Sequence, residues 1–143
     1  MIAVDTNVLV YAHRREMDAH EKAYECLSAL CAGQQAWGIP TACISEFMAT
    51  VTHRRMIGTA STVAQAIQQV NAWLAAPSAR ILHDGEQHWR ILSELAVTAK
   101  LQGGQFHDAR VAAICIENGV NTLYSTDRDF SRFKTLTTFN PLV

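Results

Sequence analysis

The chain begins MIAVDTNVLVY (residues 1–11), a short apolar run that ends at Asp5 and is followed by a second apolar stretch. Residues 1–4 predict a buried β-strand, and Asp5 then lies directly after the end of that strand. Residues 7–15 predict a short α-helix. A strand that leads at once into a helix begins a βα unit, and βα units favour a parallel sheet.

The same alternation of strands and helices continues along the chain. Further strands are predicted at residues 36–40, 80–82, 120–125 and 136–139. Helices are predicted from a cap at Asp18 to a stop at Gly33, at 43–55, from Thr59 or Ser61 to Pro77, at 86–101, and at 107–118 with Gly119 as a left-handed cap. The pattern indicates an α/β protein with a parallel sheet and helices on both faces.

Length and composition limit the classes of protein to which the chain can belong. Its 143 residues suit one domain, because typical domains have about 100–200 residues. A hydrophobic share of 49% excludes a disordered chain. With 12 basic and 13 acidic side chains, the chain cannot bind nucleic acid through bulk positive charge. Such contacts would need local basic clusters or metal ions.

The first residues predict no secretory signal, and no apolar stretch is long enough to predict a membrane span. Apolar runs such as residues 111–116 are far shorter than the ~20 residues that a membrane span needs. The four cysteines form no C-x-x-C pair, and we expect them to be reduced and mostly buried. These observations predict a cytoplasmic protein.

Acidic residues from four separate segments are predicted to meet at one edge of the sheet. In parallel sheets, ligands bind outside the carboxyl ends of the strands. Asp5, Asp127 and Asp129 directly follow predicted strands. Asp108 opens one helix, and Glu46 lies in the first turns of another. Each also has a local explanation as a helix cap, a partner of a helix dipole or a turn residue, so it is their shared position that favours a site.

A cluster of carboxylates of this kind predicts a divalent cation. Carboxylates within a few ångströms of one another repel, and a cation removes that repulsion. Because the donor set is oxygen only, the expected ion is Mg²⁺ or Mn²⁺ and not zinc, which prefers His and Cys. Such an ion makes a bound water more acidic and neutralises charge on a phosphodiester during in-line attack.

Four stretches of the sequence carry a resemblance to a known family. They are VDTNVLVY (residues 4–11), ISEF (44–47), HDARVAA (107–113) and STDRDF (125–130). In this order, they resemble the four acidic motifs of PIN-domain ribonucleases. The chain length and the region of His13-Arg14 and His20 resemble the VapC toxins of bacterial toxin–antitoxin pairs. Ser125 stands where threonine is more usual in that family, and both residues carry a hydroxyl.

The resemblance implies a fold, a site and partners. The implied fold is a three-layer α/β/α arrangement with a central, mainly parallel sheet of four to five strands, in a single PIN domain that spans residues 1–143. It implies Mg²⁺ or Mn²⁺ held by the catalytic carboxylates of Asp5, Glu46, Asp108 and Asp127, with Asp129 as either a further ligand or a turn cap. Thr6, Asn7 and Ser125 are expected to orient these carboxylates through hydrogen bonds. The implied substrate is structured RNA such as tRNA or rRNA, and the implied partners are a VapB-like antitoxin and a second copy of the chain.

Basic side chains near the acidic motifs are candidates for contacts with RNA phosphates. His13-Arg14-Arg15 begins eight residues after Asp5, and His53-Arg54-Arg55 begins seven after Glu46, or about 10–12 Å along a helix. The candidates are Arg14, Arg15, Arg54, Arg55, Arg110 and Arg128, followed by Arg132 and Lys134. The alternative is that arginines near helix ends only offset the helix dipole.

Other functions compete with the ribonuclease hypothesis. One is a PIN-like module that binds RNA or protein without cutting. Another is a different Mg²⁺-dependent phosphoryl-transfer enzyme. A haloacid dehalogenase would need an aspartate at Asn7, a response-regulator receiver would need a better-placed lysine than Lys134, and a Toprim nuclease would need a glutamate at Asp5. His107 is expected to be structural. Trp73 and Trp89 are expected in the core, since both lie within helical apolar patterns.

Overall fold

A computed structural model describes residues 1–56 and 58–143 of the chain. Within these residues the strands form one five-stranded parallel sheet in the order β3-β2-β1-β4-β5. The strands are β1 (Ile2–Val4), β2 (Trp37–Pro40), β3 (Ala79–Leu82), β4 (Thr122–Tyr124) and β5 (Thr137–Phe139). The expected α/β architecture with a central parallel sheet is confirmed.

Six α-helices in the described chain connect the strands, as the crossovers of a parallel sheet require. They are α1 (Thr6–His13), α2 (His20–Ala32), α3 (Thr41–Val51), α4 (Val63–Leu74), α5 (His88–Thr98) and α6 (Gln105–Glu117). A short 3₁₀ turn, Arg128–Arg132, links β4 to β5. None of the helices in residues 1–56 and 58–143 combines the length and the apolar character that crossing a membrane would demand.

The strand order creates a topological switch at the centre of the sheet. From β1 the chain moves to β2 and β3 on one side, and it returns through α5 and α6 to β4 and β5 on the other. Ile2 of β1 is in register with Thr122 of β4, and Val4 is in register with Tyr124. The crevice beyond the carboxyl ends of β1 and β4 is therefore the position where sheets of this kind bind ligands.

The central strands of the sheet are buried on both faces. Val4, Trp37, Ile39 and Leu123 are fully buried, and the Trp37 indole N–H donates to the hydroxyl of Ser78 at 3.2 Å. The second half of helix α6 enters the core, with an unbroken run of buried residues from Val111 to Cys115. This run explains why its sequence has little amphipathic pattern, and it places the first turn of α6 close to the central strands.

Several helix boundaries differ from the sequence predictions. The helix predicted at 43–55 is α3, which begins at Thr41 and ends at Val51. The N-cap of α2 is Ala19 and not Asp18, and that end has no side-chain cap. Helix α4 begins after Thr62, whose hydroxyl accepts from the backbone N–H of Gln65 while the Gln65 side chain accepts from the N–H of Thr62. This capping box determines the start of α4.

The expected burial of tryptophan is correct at one position and wrong at another. Trp73 is 6% exposed and contacts the ring of Phe47 edge to face. Trp89 is 73% exposed. It lies near the start of α5, where the helix packs against α6 through other residues such as Ile91.

Candidate metal centre

Three carboxylates converge beyond the carboxyl ends of the central strands. One oxygen each from Asp108, Asp127 and Asp129 can be chosen so that all lie within 4.8 Å of one another. Asp108 comes from the first turn of α6, and Asp127 and Asp129 from the segment after β4. Asp127 caps the 3₁₀ turn, because its Oδ1 accepts from the backbone N–H of Asp129 at 2.8 Å. Asp108 is thus positioned by a helix, and Asp127 and Asp129 are positioned by a 3₁₀ turn.

The electrostatics of this group are those of uncompensated negative charge. Partial burial, together with the carboxylates of Asp127, Asp5 and Asp129, raises the pKa of Asp108 to about 6. The guanidinium of Arg132 acts in the opposite direction. Carboxylates that raise the pKa of one another in this way would be neutralised by a divalent cation.

Asp5 lies next to this group and is the most buried of the carboxylates. Its Oδ2 accepts from the hydroxyl of Ser125 at 2.7 Å, and its Oδ1 accepts from the thiol of Cys43 at 3.6 Å. Burial raises the pKa of Asp5, and the hydrogen bonds from Ser125, the backbone of Thr6 and Cys43 oppose that rise. These donors fix the direction of the carboxylate while it keeps lone pairs for a further ligand.

Glu46 approaches from α3. Its Oε2 accepts a hydrogen bond from the hydroxyl of Thr6 at 3.0 Å, and its charge contributes to the raised pKa of Asp5. Its side chain is exposed, unlike that of Asp5. Asp5 therefore interacts electrostatically with both Glu46 and Asp108, and it connects the acidic residue of α3 with those of the three-carboxylate group.

The residues expected to orient the carboxylates fall into two groups. Thr6 and Ser125 make the hydrogen bonds described above. The Ser125 hydroxyl also accepts from the backbone N–H of Asp127 at 3.0 Å. Asn7 is exposed, and its side chain makes no hydrogen bond within the part of the chain that the structure describes. Its orienting role stays a prediction.

The donor set fits a hard divalent cation. The converging atoms are carboxylate oxygens, with no thiolate or imidazole among the ligands that Asp108, Asp127 and Asp129 offer. Oxygen-only sets of this kind bind Mg²⁺ or Mn²⁺ in preference to zinc. The raised pKa of Asp108 is a second indication, because burial and then the neighbouring carboxylates disfavour its charged form when no cation is bound.

Two residues that lie at this site were not predicted to belong to it. Arg132 forms an ion pair with Asp129 at 3.7 Å, and its spacing from Asp129 was the signal that could have selected it among the arginines. Cys43 is fully buried, and burial raises the pKa of its thiol well above the usual range, so it remains a protonated donor to Asp5. The sequence predicts only that Cys43 is reduced and buried, and it does not predict this hydrogen bond.

Arg14 is predicted to contact RNA, but its guanidinium is buried in the structure. Its side chain is 8% exposed, and its Nε donates to Glu16 at 2.6 Å. The other guanidinium nitrogens donate to the hydroxyl of Ser61 at 3.0 Å and to the carbonyl oxygen of Thr59 at 2.6 Å. These bonds tie the end of α1 to the segment before α4, so the role of Arg14 is structural.

Apart from the half-buried Arg132, the other predicted basic residues, including Lys134, are exposed. Arg54 and Arg55 lie after the end of α3, so the distance estimate along a continuous helix from Glu46 is wrong for them. The remaining candidates on the surface are Arg15, Arg110 and Arg128. His107 is exposed beside Asp108.

Comparison with known proteins identifies relatives along nearly the whole chain. A family model described as PIN domain matches residues 2–136. Ribonuclease VapC43 of Mycobacterium tuberculosis is 38% identical over 142 residues, which cover 99% of this chain and 96% of the relative. Ribonuclease VapC31 of the same organism is 30% identical over 141 residues and 99% of both chains.

Solved structures share the fold at lower identity. One is VapBC2 from Rickettsia felis bound to a DNA fragment from its promoter, with a TM-score of 0.71, 20% identity and 98% of each chain covered. Another is VapC20 of Mycobacterium tuberculosis, described as a sarcin-ricin loop cleaving toxin. It has a TM-score of 0.68, 18% identity and coverage of 92% of this chain and 93% of that one.

Proposed function

The chain belongs to the PIN domain family, and from that membership and its cluster of carboxylates we propose that it is an endoribonuclease toxin of the VapC kind. The single observation that carries the chemistry is the convergence of Asp108, Asp127 and Asp129 beside the buried Asp5. We propose that the substrate is structured RNA such as tRNA or rRNA, in keeping with a structural neighbour that cleaves the sarcin-ricin loop.

The carboxylates of Asp5, Glu46, Asp108 and Asp127 are the proposed catalytic and metal-holding groups, and Asp129 is a further ligand. The proposed ion is Mg²⁺ or Mn²⁺. When bound, such an ion supplies a more acidic water nucleophile and neutralises charge on the phosphodiester.

The chain's own residues set the geometry of this chemistry. Ser125 and Cys43 hold the two oxygens of Asp5 from the protein interior, and lone pairs of these oxygens remain for a further ligand. Thr6 restrains Glu46 in the same way. A carboxylate that is already oriented loses little freedom when it takes up a ligand, which favours binding and correct alignment.

Cleavage of RNA by paired variants tests this function. Purified wild-type protein is expected to cut bulk tRNA or rRNA with Mg²⁺ or Mn²⁺ and to lose activity in EDTA. Asp5→Asn and Asp108→Asn are expected to lower the cleavage rate by at least about 10²-fold, because each removes a charge that holds the ion. Asp18→Asn changes an exposed aspartate elsewhere and is the matched control.

Two outcomes would contradict the proposal. Equal cleavage by the wild type and both variants would remove these carboxylates from the chemistry. RNA binding without any metal-dependent cleavage would instead favour a PIN-like module that binds but does not cut.

The proposed partners follow from the same assignment. Structural neighbours include VapBC complexes, and we propose that a VapB-like antitoxin binds this chain and blocks cleavage. Co-expression with the product of an adjacent small gene tests this, with co-purification and restored growth as the expected result. We further propose a homodimer, which light scattering after gel filtration would test. We propose that the protein acts in the cytoplasm, where it would meet its proposed RNA substrate.

We also propose that residues 1–143 form a single PIN domain. The buried apolar residues extend from Ala3 to Leu136 and pack into a common core. The family model covers a similar range, residues 2–136.

A further inference from the structure

The turn after β4 places a cation beside the acidic cluster. Residues Arg128–Arg132 form a 3₁₀ turn, in which side chains three residues apart are nearly eclipsed. Phe130 and Phe133 have this spacing, and both are buried with ring centroids 6.2 Å apart. Asp129 and Arg132 have the same spacing and lie outside the core, side by side. Anchoring by the two phenylalanines therefore fixes where Arg132 stands.

The guanidinium of Arg132 is held in place by some of its N–H donors, while others have no hydrogen-bond partner among the described residues. Its Nε donates to the carbonyl oxygen of Asp129 at 3.0 Å, and Nη2 lies 3.7 Å from the Asp129 Oδ1, which is longer than a hydrogen bond. Within the described residues Nη1 makes no hydrogen bond. The side chain is 26% exposed, so the free edge of the fork is accessible.

This placement is unfavourable for a site that binds only cations. Each positive charge beside Asp108 and Asp129 weakens the attraction for a divalent ion. However, the RNA backbone is itself an anion, and it must approach as many as five carboxylates. One divalent cation cannot cancel that charge. A fixed cation at the edge of the cluster reduces the repulsion where the phosphate enters.

We propose that Arg132 binds a phosphate of the RNA at the cut site through the free edge of its guanidinium. This inference rests on the proposed ribonuclease function. An arginine fork matches two oxygens of a phosphate, whereas a lysine offers a point charge. The long ion pair with Asp129 is easily exchanged for a phosphate, while the bond from Nε to the backbone keeps the side chain in position.

Metal affinity gives the first test, on protein without RNA. Mn²⁺ is titrated into wild type, Arg132→Gln and Arg80→Gln, a control that removes the same charge from an exposed residue on β3. Arg132→Gln is expected to bind Mn²⁺ about three- to tenfold more tightly, because a like charge has been removed from beside the cluster. Arg80→Gln is expected to match the wild type.

Cleavage is expected to change in the opposite direction. Arg132→Gln should lower kcat/KM on bulk tRNA by about tenfold or more despite its tighter metal binding, whereas Arg80→Gln should not. Arg132→Lys preserves the charge and should have wild-type Mn²⁺ affinity with reduced cleavage. If Mn²⁺ affinity and cleavage fall together in Arg132→Gln and Arg132→Lys, the residue is structural and the proposal is wrong. Unchanged cleavage in both variants also overturns it.

A phosphate probe separates this inference from the proposed function. Inorganic phosphate is added to Mn²⁺-loaded protein, and broadening of its ³¹P resonance reports phosphate bound near the ion. Wild type and Arg80→Gln should broaden the signal, and Arg132→Gln should not. If the wild type cuts no RNA, the proposed function fails, but this broadening still decides whether Arg132 binds phosphate. Equal broadening by all three proteins would refute the role of Arg132.

Discussion

The hydroxyl of Ser125 connects two acidic segments that are far apart in the sequence. It donates to Asp5 at 2.7 Å and accepts from the backbone N–H of Asp127 at 3.0 Å. Because that N–H occupies a lone pair of the hydroxyl oxygen, the single hydroxyl proton is directed to Asp5. The pair of bonds thus sets the orientation of Asp5 and the position of the segment that carries Asp127.

Removing this hydroxyl is expected to destabilise the protein. Ser125→Ala leaves the buried Asp5 with one donor fewer and the Asp127 N–H unpaired, so we expect a loss of about 1.5–3 kcal/mol in the free energy of unfolding. Ser125→Thr retains the hydroxyl and should remain within about 1 kcal/mol of the wild type. Urea unfolding measures both. A similar loss in both variants would show that packing and not the hydrogen bond is responsible.

Asp108 predicts a dependence of stability on pH in the absence of metal. Its pKa rises from 3.8 to about 6 on folding, so the folded state favours the protonated carboxyl. This contribution is complete below about pH 4 and is lost as the pH rises through about 6. In EDTA, the Tm of Asp108→Asn should therefore exceed that of the wild type by a margin that widens from about pH 4 to 7. A constant margin across this range would contradict the assigned pKa.

Among the elements, α3 and α4 show where local sequence signals succeed and fail. Apolar spacing predicts both helices, but the predicted end of α3 is four residues too late, because no glycine or proline interrupts the sequence between Val51 and Arg55. There the Thr52 hydroxyl donates to the carbonyl oxygen of Met48 at 2.6 Å, and the chain leaves the helix. Three hydroxyl residues precede α4, and Thr62 is distinguished from the other two by Gln65 three residues later, which completes the capping box.

The capping box of α4 gives a prediction at this scale. Thr62→Ala removes the acceptor for the Gln65 N–H and should lower the free energy of unfolding by about 1 kcal/mol. Thr59→Ala alters an exposed threonine that does not cap the helix and should have an effect below about 0.5 kcal/mol. Chemical denaturation of both variants measures the difference. Equal losses would mean that Thr62 is not the effective cap.

For the whole molecule, the sequence predicts at which edge of the sheet the acidic residues lie, but it does not predict the order of the strands. Asp5 and Asp127 could be placed at one edge because each directly follows a strand, and parallel strands share that edge. The contact of Asp129 with Arg132 and the thiol of Cys43 beside Asp5 depend on side-chain packing across elements. Such contacts produce no periodic pattern in the sequence, so they could not be predicted from it.

Metal binding is expected to stabilise the whole fold. At a free Mn²⁺ concentration 100 times the Kd, binding to the folded state alone adds about 2.7 kcal/mol to the free energy of unfolding. Asp5→Asn should lose most of this gain, whereas Asp18→Asn should retain it. Thermal unfolding with and without Mn²⁺ provides the comparison. An equal gain in all three proteins would place the ion elsewhere.

The pairing of β1 with β4 also has a consequence for biosynthesis. Asp5 and Ser125 are 120 positions apart, yet one hydrogen bond joins them, and the carboxylates beside them come from both halves of the chain. A nascent polypeptide that ends before Ser125 therefore lacks a complete centre. Under the proposed function, cleavage activity is therefore acquired only after the C-terminal segment of the chain has been synthesised and has folded against β1.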